Sequence, residues 1–282
     1  AARQRAAFFK IKTTHKIYKM KNLMPFLFVL ILVSCQQEES IPFLSEEFSI
    51  NSASTNATYT INVAFPQDYN PNTQSYATMY VLDGEENFNF VAENCERISR
   101  ELSTSNVLVV SIGYGRDRAI DYTPSDANEG GGGAAQFMSF VKDELIPRIE
   151  SDYAADTARE SRIILGHSFG GLFAAYAFTN YNAVFGNYLM LSPSIWYDNE
   201  IILKMEKENR SSIANRHQLV YLGLGELEGG GRMLAPFQAF YVQLERNYPG
   251  IALEKQLQPH LDHQGSKNPN ILDGLHFYFQ NR

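Results

Sequence analysis

Arg162-Ile163-Ile164-Leu165-Gly166-His167-Ser168-Phe169-Gly170, running on into Gly171-Leu172-Phe173-Ala174-Ala175-Tyr176-Ala177-Phe178, decides how this chain is read. Residues 162–165 predict a short buried strand and residues 171–178 a helix. Between them lies G-x-S-x-G. A strand that turns sharply into a helix through this motif is the context of a nucleophile elbow. The turn is too tight for side chains at its flanks, which places glycine there. It lifts the serine hydroxyl above the strand ends, beside backbone N–H groups at a helix N-terminus. The bland alternative is a glycine-rich turn with Ser168 as an ordinary helix cap.

The flanking sequence repeats the strand–helix alternation. Thr58–Val63 alternates as a strand, and residues 65–72 read as a turn. Ala77–Leu82 predicts a strand ending at Asp83-Gly84. A helix follows around Phe88, Val91, Cys95, Ile98 and Leu102. Asn106–Ile112 is apolar on both faces, which suits a central parallel strand. Residues 113–135 read as irregular, and the glycine run 130–133 as a plain loop, since no Gly-Lys-Ser/Thr follows it. Phe137, Phe140, Val141, Leu145 and Ile149 mark a helix. Strands are expected at 188–191, 218–224 and 251–257, and helices at 233–247 and 269–280. The fold class is therefore α/β: a doubly wound, mostly parallel sheet with helices on both faces and no second domain.

The front of the chain predicts a leader. Lys19-Met20-Lys21 precede an apolar run over 24–33 that ends in Leu32-Val33-Ser34-Cys35. That ending resembles a bacterial lipobox, which implies a lipidated Cys35 and a chain anchored to the cell envelope. Met20 reads as a start, with residues 1–19 as an upstream extension. Residues 36–54 read as a tether and 55–282 as one domain, a length that buries a substantial core. The leader holds seven of the 24 Lys and Arg residues and none of the 31 Asp and Glu, so the remainder is 17 basic against 31 acidic, net −14. Such a surface disfavours nucleic acid as a partner. With Cys35 lipidated, Cys95 has no disulfide partner and reads as a core residue. No H-E-x-x-H or C-x-x-C occurs, and no metal or cofactor is expected.

Seven pieces then carry a resemblance. They are Tyr80–Gly84, Arg118–Pro124, Ile146–Glu150, Gly166–Gly171, Ser192–Trp196, Gly225–Glu228 and Asp262–Ser266. Over about residues 55–281 the chain resembles the putative-esterase family of α/β hydrolases, the group around esterase D and the enterochelin esterases. The resemblance implies an α/β-hydrolase fold and a triad in the order serine, acid, histidine. Read from the residues, the acid is Glu226 or Glu228 and the base His260 or His263; the family's spacing selects Glu228 and His263. His276 falls in the last helix and reads as a packing or surface residue. Negative charge on the attacked carbonyl needs donors in place. Phe169 N–H is one; the family puts the other just past Asp83-Gly84, at Glu85 N–H. Trp196, Arg118, Tyr122 and His260 are candidate pocket residues, with an Arg118–Asp121 ion pair as the structural alternative.

These features predict a serine esterase acting on a small extracellular ester. A siderophore trilactone esterase, an acyltransferase and a non-catalytic binding lipoprotein are the alternatives; the oligomeric state is not set. The leader carries a prediction of its own. In a bacterium fed labelled palmitate, the full-length protein should take up label and Cys35→Ala should not. Equal labelling of the two would contradict the lipobox reading.

Overall fold

The computed structural model describes residues 42–127 and 130–282. The expected leader, with Cys35, lies outside the described residues. Eight strands form one sheet: β1 (Leu44–Ser52), β2 (Ala57–Phe65), β3 (Thr78–Val81), β4 (Leu108–Ile112), β5 (Arg162–His167), β6 (Asn187–Leu191), β7 (Leu219–Gly225) and β8 (Ala252–Gln258). Their order is β1-β2-β4-β3-β5-β6-β7-β8. From β4 to β8 every neighbouring pair is parallel; β1 and β2 add an antiparallel edge. This is the expected mostly parallel sheet of an α/β-hydrolase fold.

One expectation is corrected at the edge. Residues 44–52, assigned to the tether, form β1, paired with β2 from Leu44–Phe65 to Ser52–Ala57. Its side chains stay largely exposed. Backbone hydrogen bonds hold this strand, so polar residues serve and burial writes little pattern into the sequence. The irregular reading of 113–135 is also corrected, because a short helix lies within it.

The helices are α1 (Gly84–Glu101), α2 (Arg118–Tyr122), α3 (Ala134–Ser139), α4 (Ile146–Asp152), α5 (Phe169–Asn180), α6 (Tyr197–Asn209), α7 (Leu234–Asn247) and α8 (Lys267–Asn281). A π-helical turn, Phe140–Leu145, joins α3 to α4. The apolar series from Phe137 to Ile149 thus runs through one helical stretch. On one face of the sheet, Val91, Cys95 and Ile98 of α1 pack with Ile271, Leu275 and Phe277 of α8. On the other, Phe137, Phe140, Phe173, Phe178, Phe237 and Phe240 form the larger core. Cys95 is fully buried, and burial pushes its thiol pKa up, as suits an inert core residue.

Parallel pairing brings the carboxyl ends of β3, β5, β6, β7 and β8 to one edge of the sheet. The loops that follow them therefore gather there: 82–87, 168, 192–196, 226–233 and 259–266. In open parallel sheets this edge is where ligand sites are built.

Candidate active site

The turn from β5 into α5 is as tight as its glycines require. A Cβ on Gly166 would lie 2.3 Å from the Gly170 carbonyl oxygen, and one on Gly171 would lie 2.9 Å from the Leu191 carbonyl oxygen. Ser168 sits between them at φ 61°, ψ −117°, a region that non-glycine residues rarely occupy. Such a conformation costs about 1–3 kcal/mol and persists only where its surroundings over-determine it. The surroundings do so here. Ser168 N–H donates to Leu191 O at 2.9 Å, and Ser168 O accepts from Leu172 N–H at 2.9 Å and Ser194 N–H at 3.2 Å.

Glu228, just past β7, is the carboxylate that meets the base. Its Oε2 lies 2.7 Å from His263 Nδ1. Its Oε1 accepts from Gly225 N–H at 2.7 Å, Ser192 Oγ at 2.8 Å and Ser266 Oγ at 3.2 Å. Burial alone would raise the Glu228 pKa; the bonds from His263, Gly225 and Ser192 outweigh it and hold the carboxyl below its usual range. An ionised carboxylate only accepts, so the shared hydrogen is on Nδ1, and the neutral form of the ring then has its lone pair on Nε2. Glu226 is elsewhere: it accepts from His260 N–H at 2.7 Å, and its Oε2 is 3.4 Å from His260 Nδ1.

His167, inside the elbow, supports the base. Its ring lies 4.6 Å from that of His263, centroid to centroid, and its Nε2 is 3.0 Å from His263 O. A carbonyl only accepts, so His167 Nε2 is the donor. Burial, with the neighbouring His263 ring second, pushes the His167 pKa down to about 3.

Two clefts open beside Ser168. One, of about 360 Å³, is lined by Ser168, His263, Arg118, Phe169, Ser194, Trp196, Arg232 and Met233. The other, of about 110 Å³, is lined by Ser168, Arg118, Asp83, Glu86, Asn87, His167, Gln264 and Lys267. Arg118 belongs to both. It clasps Asp83 with bonds of 2.8 and 2.9 Å and donates to His167 O at 3.2 Å.

The structure thus brings together Ser168, Glu228, His263, Phe169, Arg118 and Trp196. Ser168 and His263 line one cleft, and no hydrogen bond joins them among the described residues. Three expectations are corrected. Arg118 pairs with Asp83; Asp121 instead takes a bond from Arg116 Nε at 2.6 Å and one from Tyr59 Oη at 2.8 Å. Tyr122 lines neither cleft. It is buried beneath the loop, its hydroxyl accepting from Asp83 N–H at 3.2 Å. His260, with its side chain 88% exposed, also stands apart from both clefts. Glu85 is not on a cleft wall, but it lies in the first turn of α1. There the N–H groups of Glu86 and Asn87 both go to Asp83 O, and those of Gly84 and Glu85 have no backbone acceptor among the described residues. Sequence reasoning missed Arg232, whose guanidinium lies 3.2 Å from the centre of the Trp196 ring. It also missed Ser192 and Ser266 as holders of the carboxylate. A lone arginine in a loop and two serines give no spacing signal.

With this geometry in hand, the comparisons decide the family. The family model described as putative esterase matches residues 52–264. The chain belongs to this esterase family. It is 28% identical over 198 residues to the siderophore enterobactin esterase of Emericella nidulans, covering 60% of this chain and 65% of that protein, just under two thirds. It is 30% identical over 202 residues to the ferri-bacillibactin esterase BesA of Bacillus subtilis, covering 64% of this chain and 69% of that protein. The solved structure of the siderophore hydrolase EstA from Aspergillus nidulans superposes with a TM-score of 0.75 at 23% identity, over 84% of this chain and 94% of that one. At that identity the superposition speaks for the fold.

The depressed His167 pKa gives a pH prediction. Above the ring's ordinary value of 6.5, folded and unfolded chains both hold it neutral. As the pH falls from there toward 3, the unfolded chain takes up a proton that the folded one refuses. Stability should therefore fall toward acid by up to about 1.4 kcal/mol per pH unit from this group. His167→Gln removes that contribution, so its urea midpoint should fall less than the wild type's between neutral and mildly acidic buffer. Parallel decline of the two proteins would contradict the assignment.

Proposed function

We propose that this chain is a serine esterase that opens the ester bonds of a siderophore through an acyl-enzyme on Ser168. The observation that carries the reading is the Nδ1–Glu228 bond of His263, which leaves Nε2 free in the cleft that holds Ser168. Nε2 takes the Ser168 proton as Oγ attacks the ester carbonyl. The developing oxyanion meets Phe169 N–H at the start of α5, with the Glu85 N–H of the α1 turn as the second donor. Removing one such donor costs about 3–4 kcal/mol of transition-state stabilisation. His263 then passes the proton to the leaving alkoxide. A water activated by the same imidazole releases the acyl group and restores the Ser168 hydroxyl.

The siderophore is preferred over a generic small ester for two reasons. Of the relatives named above, one is called a siderophore enterobactin esterase and the other a ferri-bacillibactin esterase. The larger cleft also presents Trp196 with the Arg232 guanidinium stacked on it, beside Arg118, on a chain of net charge −7. A planar cation on an aromatic face suits flat, electron-rich or anionic groups, which a metal-binding siderophore supplies. Lipidation of Cys35 would hold the enzyme at the cell envelope, where such ligands arrive.

A substrate panel tests this. The full-length protein should hydrolyse a catecholate trilactone with a kcat/KM at least about tenfold above that for p-nitrophenyl palmitate or a feruloyl ester. Ser168→Ala should lose at least about 10³-fold in kcat, and Glu228→Gln a large part of that, since such residues act as a unit. A panel won by palmitoyl or feruloyl esters would overturn the siderophore reading. Fast acyl transfer to a sugar alcohol with feeble hydrolysis would replace it with a transferase.

A further inference from the structure

Asp83, Ser168 and Ser192 follow the carboxyl ends of β3, β5 and β6, three neighbouring strands, and all three hold a positive φ, of 53°, 61° and 40°. Non-glycine residues seldom adopt such a backbone, and an outlier of this kind is a pointer to function. Asp83 clasps Arg118, and Ser168 is the nucleophile of the reading above. We propose that Ser192 is a positioning residue for the same reaction: it ties the carboxylate of Glu228 to the segment that holds Ser168, and so sets the His263 imidazole against the nucleophile. This rests on the esterase reading above and adds a residue to its machinery.

The sheet puts Ser192 between the two. Leu191 pairs with His167 on one side and with Gly223 on the other, so the residue after it lies between the elbow and the end of β7 that leads to Glu228. Its neighbours in the chain face the elbow. Leu191 O takes the Ser168 N–H at 2.9 Å, and Ser194 N–H reaches Ser168 O at 3.2 Å. A Cβ on Gly171 would lie 2.9 Å from both Leu191 O and Pro193 Cα, so α5 packs directly on this segment. Ser192 itself bonds the other way. Its N–H donates to Gly223 O at 2.7 Å and its hydroxyl to Glu228 Oε1 at 2.8 Å. The residue at positive φ is the joint between the two sets of bonds.

Glycine takes such a backbone freely. What serine adds is a hydroxyl, and the hydroxyl is used. Ser192 is fully buried, and its single hydrogen goes to a carboxylate, which can only accept. Oε1 has two other donors. Gly225 N–H belongs to the turn that carries Glu228 itself, and Ser266 Oγ, at the longer distance of 3.2 Å, belongs to the loop that carries His263. Of the three, Ser192 alone comes from the segment bonded to Ser168. A bond from a hydroxyl to a charged acceptor is among the stronger kinds. Holding Oε1 in this way leaves Oε2 turned to His263 Nδ1, at 2.7 Å. Without the Ser192 hydroxyl the carboxylate keeps partners only from its own turn and from the base loop. The acid then loses its bond to the segment that fixes the nucleophile.

The test separates the hydroxyl from the backbone. Full-length wild type, Ser192→Ala, Ser192→Gly and Ser192→Cys are compared in kcat and KM on p-nitrophenyl acetate, with the thermal midpoint of each. The Ala and Gly variants should lose about tenfold or more in kcat with KM held within about threefold, because the lost bond acts on the triad and not on substrate binding. The Gly variant should be as slow as the Ala variant whatever its midpoint, since it relaxes the backbone and still lacks the donor. The Cys variant, close to serine in size and a weak donor, should fall between wild type and Ala. It also serves if the other two do not fold, and should then lose at least about threefold in kcat. A folded variant without the hydroxyl that keeps the wild-type kcat, a loss confined to KM, or a Cys variant as slow as Ala overturns the assignment while leaving the esterase intact. A wild type that hydrolyses neither this ester nor a siderophore overturns the esterase reading and this inference with it.

Discussion

The close approach of Gly166 to Gly170 is the constraint on which the site depends. With no side chain on either residue, β5 turns into α5 within a few residues, and Ser168 is held at a positive φ at the crest. The strain there is stabilised by hydrogen bonds from neighbouring parallel-strand loops. Leu191 O at the end of β6 receives the Ser168 N–H, and Ser194 N–H returns to Ser168 O. The elbow is thus fixed by the sheet order, which sets β6 beside β5. A side chain at Gly166 would have to open the turn and so move both the hydroxyl and the Phe169 N–H.

The carboxylate is over-determined in a different way. Glu228 has four hydrogen-bond partners drawn from three segments: Gly225 at the end of β7, Ser192 after β6, and His263 and Ser266 in the loop after β8. These bonds overcome the penalty of burying its charge and pin the imidazole tautomer. His167 then ties the base loop back to the elbow through His263 O. Nucleophile, base and acid sit on separate loops, yet each loop is bonded to another. That arrangement preorganises the site.

Much of this was legible in the sequence. The central strands are apolar on both faces and announce themselves, and the elbow residues carry their own signature between 166 and 170. The acid and base were narrowed to Glu226 or Glu228 and His260 or His263, and the family spacing chose the pair that the structure joins. What escaped has physical reasons. β1 is held by its backbone at a sheet edge, so its side chains keep a tether-like composition. Arg118 and Asp83 are distant in sequence, and nothing local distinguishes that pairing from one with Asp121. Arg232 gains meaning only from the Trp196 ring beneath it. The small cleft beside Ser168 needs the loops assembled, because its walls come from α1, α2, the elbow and the α8 entry.

The central claim is that Ser168 is a nucleophile made reactive by His263 in the folded chain. Labelling with a serine-directed fluorophosphonate, followed by peptide mass mapping, tests it most directly. The account predicts one adduct, on the peptide that contains Ser168, formed by the native protein, greatly slowed in His263→Ala and absent from the urea-unfolded chain. An adduct on another residue, or a Ser168 adduct formed equally fast without His263, would contradict it.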